Sequence, residues 1–90
     1  MNEQSRPRFG KGVKLRHDGD GSVMLLVPEG ALVLNPPAAV ALTLVDGNRT
    51  LEEIVDTVVE RFEVAPQRAR DELNGLFERL AQRGFLRCLS

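Results

Sequence analysis

The hydrophobic pattern of this chain changes its period once, at Asn35-Pro36-Pro37. Before that point the apolar residues alternate with polar ones or form short β-branched runs, which is typical of strands. After it, apolar residues recur every three or four positions, as they do on one face of a helix. Because asparagine is a strong helix N-cap and proline fits the first helical turn, we expect a helix to begin here. A chain whose strands all precede its helices is expected to adopt an α+β fold.

Three strands are predicted upstream of this change, near residues 13–17, 22–27 and 31–34. The first alternates apolar and polar residues, and the second is nearly all apolar, as in a strand covered on both faces. The segments Asp18-Gly19-Asp20-Gly21 and Pro28-Glu29-Gly30 are turn sequences that separate them. Short connections between consecutive strands favour antiparallel pairing, so we expect a three-stranded antiparallel meander.

Three helices are predicted downstream, near residues 36–45, 51–62 and 66–83. The second has the clearest signal, because Thr50 and Glu53 form a capping-box pattern ahead of a regular apolar stripe. A three-stranded antiparallel sheet followed by three helices, the last two joined by a short turn, predicts a domain of the winged helix-turn-helix type.

The length of the chain, 90 residues, leaves room for one hydrophobic core. We expect residues 1–12, which are polar and basic and contain proline and glycine, to form a flexible tail, and residues 13–87 to form one domain. A single cysteine, Cys88, excludes an internal disulfide. The apolar runs are too short to cross a bilayer and the basic N-terminus is not followed by an apolar stretch, so we expect a cytoplasmic location.

The polar residues do not form a recognisable catalytic or metal site. His17, the only histidine, is predicted to lie beside a turn, and Cys88 has no histidine near it in the sequence. The carboxylates of the second helix follow helical spacing and are better explained as a solvated face than as metal ligands. We therefore expect no enzymatic activity and no bound metal or cofactor.

Helix-turn-helix topology makes a winged-helix DNA-binding module the main alternative function. Residues 51–64 contain five acidic residues and one arginine, a net charge of −4, whereas residues 65–90 contain five arginines and three acidic residues. The phosphate backbone would repel such an acidic helix. Because the whole chain also has a net charge of only −1, nucleic acid and anionic membranes are not expected as partners.

The third predicted strand, residues 31–34, would lie at an edge of the sheet. It contains neither lysine nor proline, two residues that prevent pairing with a further strand. An open edge of this kind can accept a strand from a partner peptide. A tail of the same chain or a second copy could also cover it, so we expect a monomer or a concentration-dependent homodimer formed by strand exchange.

Several short motifs, in this order and spacing, resemble those of the PqqD family. They are Leu25-Leu26-Val27-Pro28-Glu29-Gly30, Leu34-Asn35, Leu44-Val45-Asp46-Gly47-Asn48-Arg49-Thr50 and Glu53-Ile54-Val55. The resemblance extends from about residue 7 to residue 86. The double proline after Asn35 departs from the family, which more often has a small polar residue there.

The resemblance implies a non-catalytic peptide chaperone of pyrroloquinoline quinone (PQQ) biosynthesis, a recognition element for ribosomally made, modified peptides. Such domains bind the leader of a precursor peptide, PqqA, as a strand antiparallel to the third strand, in a groove beside the third helix. They present it to a radical S-adenosylmethionine (SAM) enzyme, PqqE. The peptide-binding residues that the resemblance implies are Ala31, Leu32, Val33 and Leu34 on the strand and Arg70, Leu73, Asn74, Phe77 and Leu80 on the helix.

Two of these helix residues carry further expectations. Phe77 either forms the floor of the groove together with Leu73, and so contributes to selectivity, or it belongs to the hydrophobic core. Arg70 is expected to be exposed and to attract an acidic leader.

Overall fold

Five strands and three helices form the fold of residues 2–89, the part of the chain that the computed structural model describes. Two separate antiparallel sheets are present in this part, one with three strands and one with two. In chain order the elements are β1 (Arg6–Phe9), β2 (Lys14–His17), β3 (Val23–Val27), β4 (Gly30–Val33), α1 (Pro36–Thr43), α2 (Leu51–Phe62), α3 (Pro66–Gln82) and β5 (Leu86–Leu89).

The three-stranded sheet has the order β2-β3-β4, with β3 in the centre. It confirms the predicted meander, and each strand lies within one or two residues of its predicted bounds. Leu25 in the middle of β3 is fully buried and pairs with Leu15 on one side and Leu32 on the other. The sheet therefore packs one face against the helices through its central strand.

The three helices also confirm the prediction, and two capping hydrogen bonds define the start of α2. The backbone N–H of Glu53 donates to Thr50 Oγ1 at 3.2 Å, and the N–H of Thr50 donates to Glu53 Oε1 at 2.9 Å. The hydrogen bond that the Thr50 N–H donates to the Glu53 carboxyl, and a second one from the Thr50 side chain, lower the pKa of that carboxyl. Helix α1 ends earlier than predicted, because Leu44 and Val45 form tighter bonds to carbonyls three residues back.

The prediction of a loose tail over residues 1–12 is corrected by strand β1, which pairs with β5 near the end of the chain. Along β1 the residues alternate between exposed and more buried, and Pro7 is fully buried. A Cβ at Gly10 would lie 2.3 Å from the carbonyl oxygen of Gly84, so the close approach of these backbones requires glycine. Because β1 contains arginine and proline, its composition does not predict a strand.

Residues before β1 also contact the body of the domain, at the start of α2. The N–H of Leu51 donates to the carbonyl oxygen of Ser5 at 2.9 Å, and the N–H of Glu52 donates to that of Glu3 at 3.0 Å. The first amides of a helix have no partners within the helix. The N-terminal segment supplies them here, so it forms part of the fold.

The hydrophobic core lies between the sheet and the three helices. Its largest fully buried side chains include Phe77 from α3, Leu42 from α1 and Ile54 from α2, which meet Leu25 of the sheet in one cluster. None of the helices within residues 2–89 is both long and apolar enough to span a membrane.

Candidate functional site

Both outer strands of the three-stranded sheet, β2 and β4, pair only with β3 among the described residues. β2 carries Lys14 and Arg16, charged residues of the kind that protect an edge, so the unprotected edge is that of β4. All four residues of β4 are exposed, and Val33 is 79% exposed, an unusual value for a valine in a strand. Polar residues or proline usually protect such an edge, and β4 has neither. The predicted open edge is therefore present, on β4.

The register of β3 and β4 shows which backbone groups of this edge are unpaired. The N–H of Leu34 donates to the carbonyl oxygen of Val23 at 3.3 Å, so this pair occupies a hydrogen-bonded position of the ladder. In an antiparallel ladder, bonded pairs alternate with non-bonded pairs. Leu32 is therefore in a bonded pair, whereas Ala31 and Val33 direct their N–H and C=O groups away from β3. An added strand would bind to Ala31 and Val33.

The side chains of β4 alternate between the two faces of the sheet. Leu32 pairs directly with the fully buried Leu25, so it lies on the face that packs against the helices. It nevertheless remains 37% exposed because β4 has no neighbour beyond it. Leu34 lies on the same face and packs against the core. Apolar surface therefore accompanies the unpaired backbone groups on the helix side of the edge.

The residues on either side of β4 lie near α3 in the opposite order along the chain. At one end, Arg83 Nη2 lies 3.6 Å from Glu29 Oε2 in the turn just before β4. At the other end, Asn35 and Pro37, just after β4, line a cavity of about 630 Å³ together with α3 residues between Arg68 and Arg79 and with Val58 and Val64. We call the surface between these two points the β4–α3 groove; residues 30–33 of β4 do not line the cavity itself.

The side of α3 that faces this groove carries residues one helical turn apart. Arg68, Glu72, Gly75 and Arg79 line the cavity, with Leu76 at the boundary between the groove and the core. Arg68 Nε lies 3.2 Å from Glu72 Oε1, so these two charges form an ion pair. The groove therefore combines an apolar base with charged residues along its rim.

Three of the helix residues predicted for the site belong to the core. Leu73, Phe77 and Leu80 are buried, and the ring of Phe77 has no exposed surface at all. Leu73 also contributes to the base of the cavity. Of the two alternatives for Phe77, the structure therefore supports the core position, and the prediction that it forms the floor of the groove is corrected.

The other two predicted helix residues lie on the opposite flank of α3. Arg70 and Asn74 line a separate cavity of about 510 Å³ against residues 2–4 and the start of α2. Arg70 Nε lies 2.9 Å from Glu3 Oε1, so Arg70 is paired within the chain rather than free. Since each helical residue advances about 100°, Arg70 and Glu72 point to nearly opposite sides of the helix. The expectation that Arg70 and Asn74 face the peptide groove is corrected.

The double proline after β4 stiffens the junction at one end of the groove. Asn35 caps α1, because its Oδ1 accepts a hydrogen bond from the N–H of Ala38 at 2.9 Å. Pro36 and Pro37 occupy the first two helical positions, where a missing N–H has no cost to the helix. Since Asn35 and Pro37 both line the cavity, the departure from the family pattern lies at the site itself.

The residues considered for catalysis lie apart from one another. His17 is exposed at the end of β2, and Cys88 is exposed on β5. Within residues 2–89 no group of three or more histidine, cysteine or carboxylate side chains is placed to hold a metal ion. The carboxyls with lowered pKa values, those of Asp20, Asp46 and Glu53, accept hydrogen bonds in turns and at the α2 cap, outside the groove.

The groove-facing residues of α3 were missed in the sequence, although a signal for them exists. Arg68, Glu72, Gly75 and Arg79 follow a spacing of four, three and four, which places them on one flank of a helix. The same spacing also describes an ordinary solvated face. Only the position of β4 distinguishes this flank from the one that carries Arg70.

Known proteins similar to this chain agree on one family. A sequence profile described as coenzyme PQQ synthesis protein D (PqqD) matches residues 22–86. The PqqA binding protein of Rahnella aquatilis is 36% identical over 63 residues, which is 69% of this chain and 66% of that protein. The PqqA binding protein of Rhodopseudomonas palustris (strain HaA2) is 31% identical over 87 residues, which is 96% of this chain and 85% of that protein.

A solved structure supports the same relationship. It is the solution NMR structure of the PqqD truncation of Methylobacterium extorquens PqqCD, described as a functional, stand-alone recognition element for ribosomally synthesized and post-translationally modified peptides. Its TM-score is 0.74 at 30% sequence identity, and the alignment covers 90% of this chain and 87% of that one. The similarity therefore includes the three-stranded sheet and the three helices that form the groove.

Proposed function

This chain belongs to the PqqD family, and from that premise we propose that it is a peptide-binding recognition element of PQQ biosynthesis. Its ligand is the leader segment of the precursor peptide PqqA. The peptide binds as an additional strand, antiparallel to β4, in the β4–α3 groove. The protein acts without catalysing a reaction itself and presents the bound peptide to the radical SAM enzyme PqqE.

The observation that carries this proposal is the unpaired edge of β4. Ala31 and Val33 direct backbone donors and acceptors outward, and any residue except proline can pair with them. Such pairing supplies the register of a bound peptide with little sequence selectivity. Selectivity then comes from side chains of the peptide that enter the groove between Leu32 and α3.

The same geometry is consistent with delivery of the peptide to another protein. A leader held as an edge strand leaves the remainder of the precursor peptide free to enter an active site elsewhere. We assign catalysis to PqqE because His17 and Cys88, the residues considered for catalysis in this chain, lie outside the groove. A second copy of the chain would compete for the same edge, so we propose a monomer in dilute solution and a strand-exchanged dimer only at high concentration.

An NMR titration tests the proposal. The PqqA precursor peptide encoded in the same genome is added to the labelled protein. The amides of 30–33 and of the groove side of α3 are expected to shift, and cross-strand contacts should show an antiparallel peptide beside β4. A scrambled peptide of the same composition is the control. Shifts confined to other surfaces, or binding of random duplex DNA in place of the peptide, would contradict the proposal and favour the DNA-binding alternative.

Replacing Arg70 by alanine distinguishes the groove flank of α3 from the opposite flank. Because Arg70 is paired with Glu3 away from the groove, Arg70→Ala is expected to leave the peptide Kd unchanged. It should lower the free energy of unfolding by less than about 1 kcal/mol, as for other partly exposed ion pairs. Calorimetric titration and thermal unfolding measure the two effects. Arg68→Ala, on the groove flank, is the matched comparison. If Arg70→Ala loses more peptide affinity than Arg68→Ala does, Arg70 belongs to the binding site.

A further inference from the structure

The three-stranded sheet has a second face, on the side away from the helices. Leu25 and its cross-strand neighbours Leu15 and Leu32 lie on the helix side. Because successive residues of a strand point to opposite faces, the residues between them lie on the other face. We call this the outer sheet face. Its residues are Lys14 and Arg16 of β2, Met24 and Leu26 of β3, and Ala31 and Val33 of β4.

The strand register arranges these six residues in two rows that cross the sheet. The rows are Arg16-Met24-Val33 and Lys14-Leu26-Ala31. Each row has a cation on β2, a large apolar side chain in the centre and a smaller apolar side chain on β4. The outer sheet face is therefore apolar in its centre and at the open edge, and positively charged along the opposite side.

The apolar residues of this face do not contribute to the hydrophobic core. Val33 is 79% exposed. Met24 and Leu26 are half-buried by their own strands, and they belong neither to the core cluster nor to the partly buried hydrophobic residues that pack against it. A group of apolar side chains with no role in the core is typical of an interaction surface.

The charges beside this apolar area favour an acidic partner. Residues 5–17 contain five basic residues and no acidic one, although the whole chain has a net charge of −1. Lys14 has no ion pair within the part of the chain that the structure describes. Arg16 pairs with Asp18 at 2.8 Å, yet its side chain remains 60% exposed. Carboxylates on a partner would complement this side of the face.

The composition of the face favours a protein over a membrane or nucleic acid. Binding to anionic lipids typically uses clusters of about 4–8 basic residues, and DNA-binding proteins often make about 6–10 phosphate contacts. The outer sheet face has only Lys14 and Arg16. Methionine and arginine are enriched in protein interfaces, and the flexible methionine side chain adapts to a partner surface.

A peptide added to β4 would extend the same face. Residues directly opposite each other in an antiparallel pair lie on one side of a sheet. The peptide residues opposite Ala31 and Val33 would therefore continue the two rows, about 4.8 Å beyond β4. A partner that docks on the outer sheet face would then contact this protein and its bound peptide together.

We infer, resting on the proposed function, that the outer sheet face docks the enzyme that receives the peptide. The docking surface of that enzyme is apolar in its centre and carries carboxylates opposite Lys14 and Arg16. The bound peptide forms the fourth strand of the docking face, so the enzyme binds the peptide-loaded protein more tightly than the free protein.

Lys14→Glu tests the charged side of the face, with PqqE encoded in the same genome as probe. Affinity for PqqE, measured by biolayer interferometry, is expected to fall by about fivefold at low salt and by less at high salt. The Kd for the PqqA peptide alone should stay the same, because β2 lies on the far side of β3 from the peptide edge. Arg61→Glu is the control, since it makes the same change of charge at an exposed position of α2.

Met24→Thr tests the apolar centre. Affinity for PqqE is expected to fall by about tenfold, as for a central interface residue. Threonine favours a strand, so the melting temperature and the Kd for the peptide alone should change little. Met24→Leu, which keeps the apolar volume, should retain PqqE binding.

The coupling between peptide and enzyme is measured with the unaltered protein. The peptide should raise affinity for PqqE by about fivefold or more, and PqqE should raise affinity for the peptide by the same factor. A peptide with serine at the two positions opposite Ala31 and Val33 should bind the protein alone nearly as tightly. It should lose most of this coupling.

The outcomes separate this inference from the proposed recognition of the peptide. If PqqE binds Lys14→Glu and Met24→Thr as tightly as the unaltered protein, the enzyme docks elsewhere and the inference is overturned, while peptide binding at β4 stands. The same holds if these variants lose only a dimer seen by sedimentation, or only binding to phosphatidylserine vesicles or duplex DNA. If the unaltered protein does not bind the peptide, the proposed function fails and this inference fails with it.

Discussion

Replacing Val33 by proline is expected to weaken peptide binding by tenfold or more while the fold remains intact. Proline removes the outward N–H of Val33, which the register leaves unpaired in the free protein. The carbonyl of a bound peptide would then lose its hydrogen bond, at a cost of about 1.4–2.8 kcal/mol, or roughly tenfold to a hundredfold in Kd. Proline is tolerated on edge strands where the N–H faces solvent, so β4 should still pair with β3.

Val33→Thr is the matched control for this prediction. Threonine keeps the N–H and the β-branched shape, and the side chain of Val33 is 79% exposed, so little packing changes. Peptide affinity and melting temperature should both stay close to those of the unaltered protein. If Val33→Pro folds normally and binds the peptide as tightly as Val33→Thr does, the peptide does not add to β4 as a strand.

Phe77→Ala is expected to reduce stability severely. The ring has no exposed surface and lies in the cluster that joins the sheet to the helices. Removal of a buried phenylalanine costs about 3–5 kcal/mol, a large part of the 5–15 kcal/mol that stabilises a typical domain. For a chain of this size the melting temperature should fall by at least about 12 °C. Thermal unfolding followed by circular dichroism measures this change.

Leu76→Ala, one residue earlier, separates the core from the groove. Leu76 is only partly buried and lines the cavity. Leu76→Ala should therefore reduce stability less than Phe77→Ala does, and it should reduce peptide affinity more. Affinities are compared at a temperature where both variants are folded. A Phe77→Ala protein that melts normally but fails to bind the peptide would show that Phe77 serves the groove and not the core.

The fold of the central part of the chain could be predicted because its signals are local. The capping box at Thr50 and Glu53, the proline at the start of α3 and the apolar stripes each require only neighbouring residues to be interpreted. The open edge could also be predicted, because strand order in a meander follows chain order and residues 31–34 contain nothing that blocks pairing. All of these features are present in the structure.

Strand β1 could not be predicted in the same way, because its partner lies at the other end of the chain. Arg6 and Phe9 pair with Leu89 and Leu86, more than 70 residues away in the sequence. Neither segment has a strong strand pattern alone, and each is stabilised by the other; in β1 the carbonyl oxygen of Pro7 also accepts a hydrogen bond from the Gly47 N–H. The turn sequence and composition of residues 1–12 therefore indicated a tail where the structure has a strand.

The sequence by itself determined that α3 has one buried face, through the spacing of Ala69, Leu73, Phe77 and Leu80. It left open which of the two flanks beside that face borders the open strand, since both carry arginine and polar residues at helical spacing. Packing decided this: residues 2–4 cover the flank of Arg70, and Asn35 and Pro37, just after β4, lie beside the flank of Arg79. An amphipathic pattern specifies the side of a helix that is removed from water, whereas the neighbour of each flank depends on contacts between segments distant in the chain.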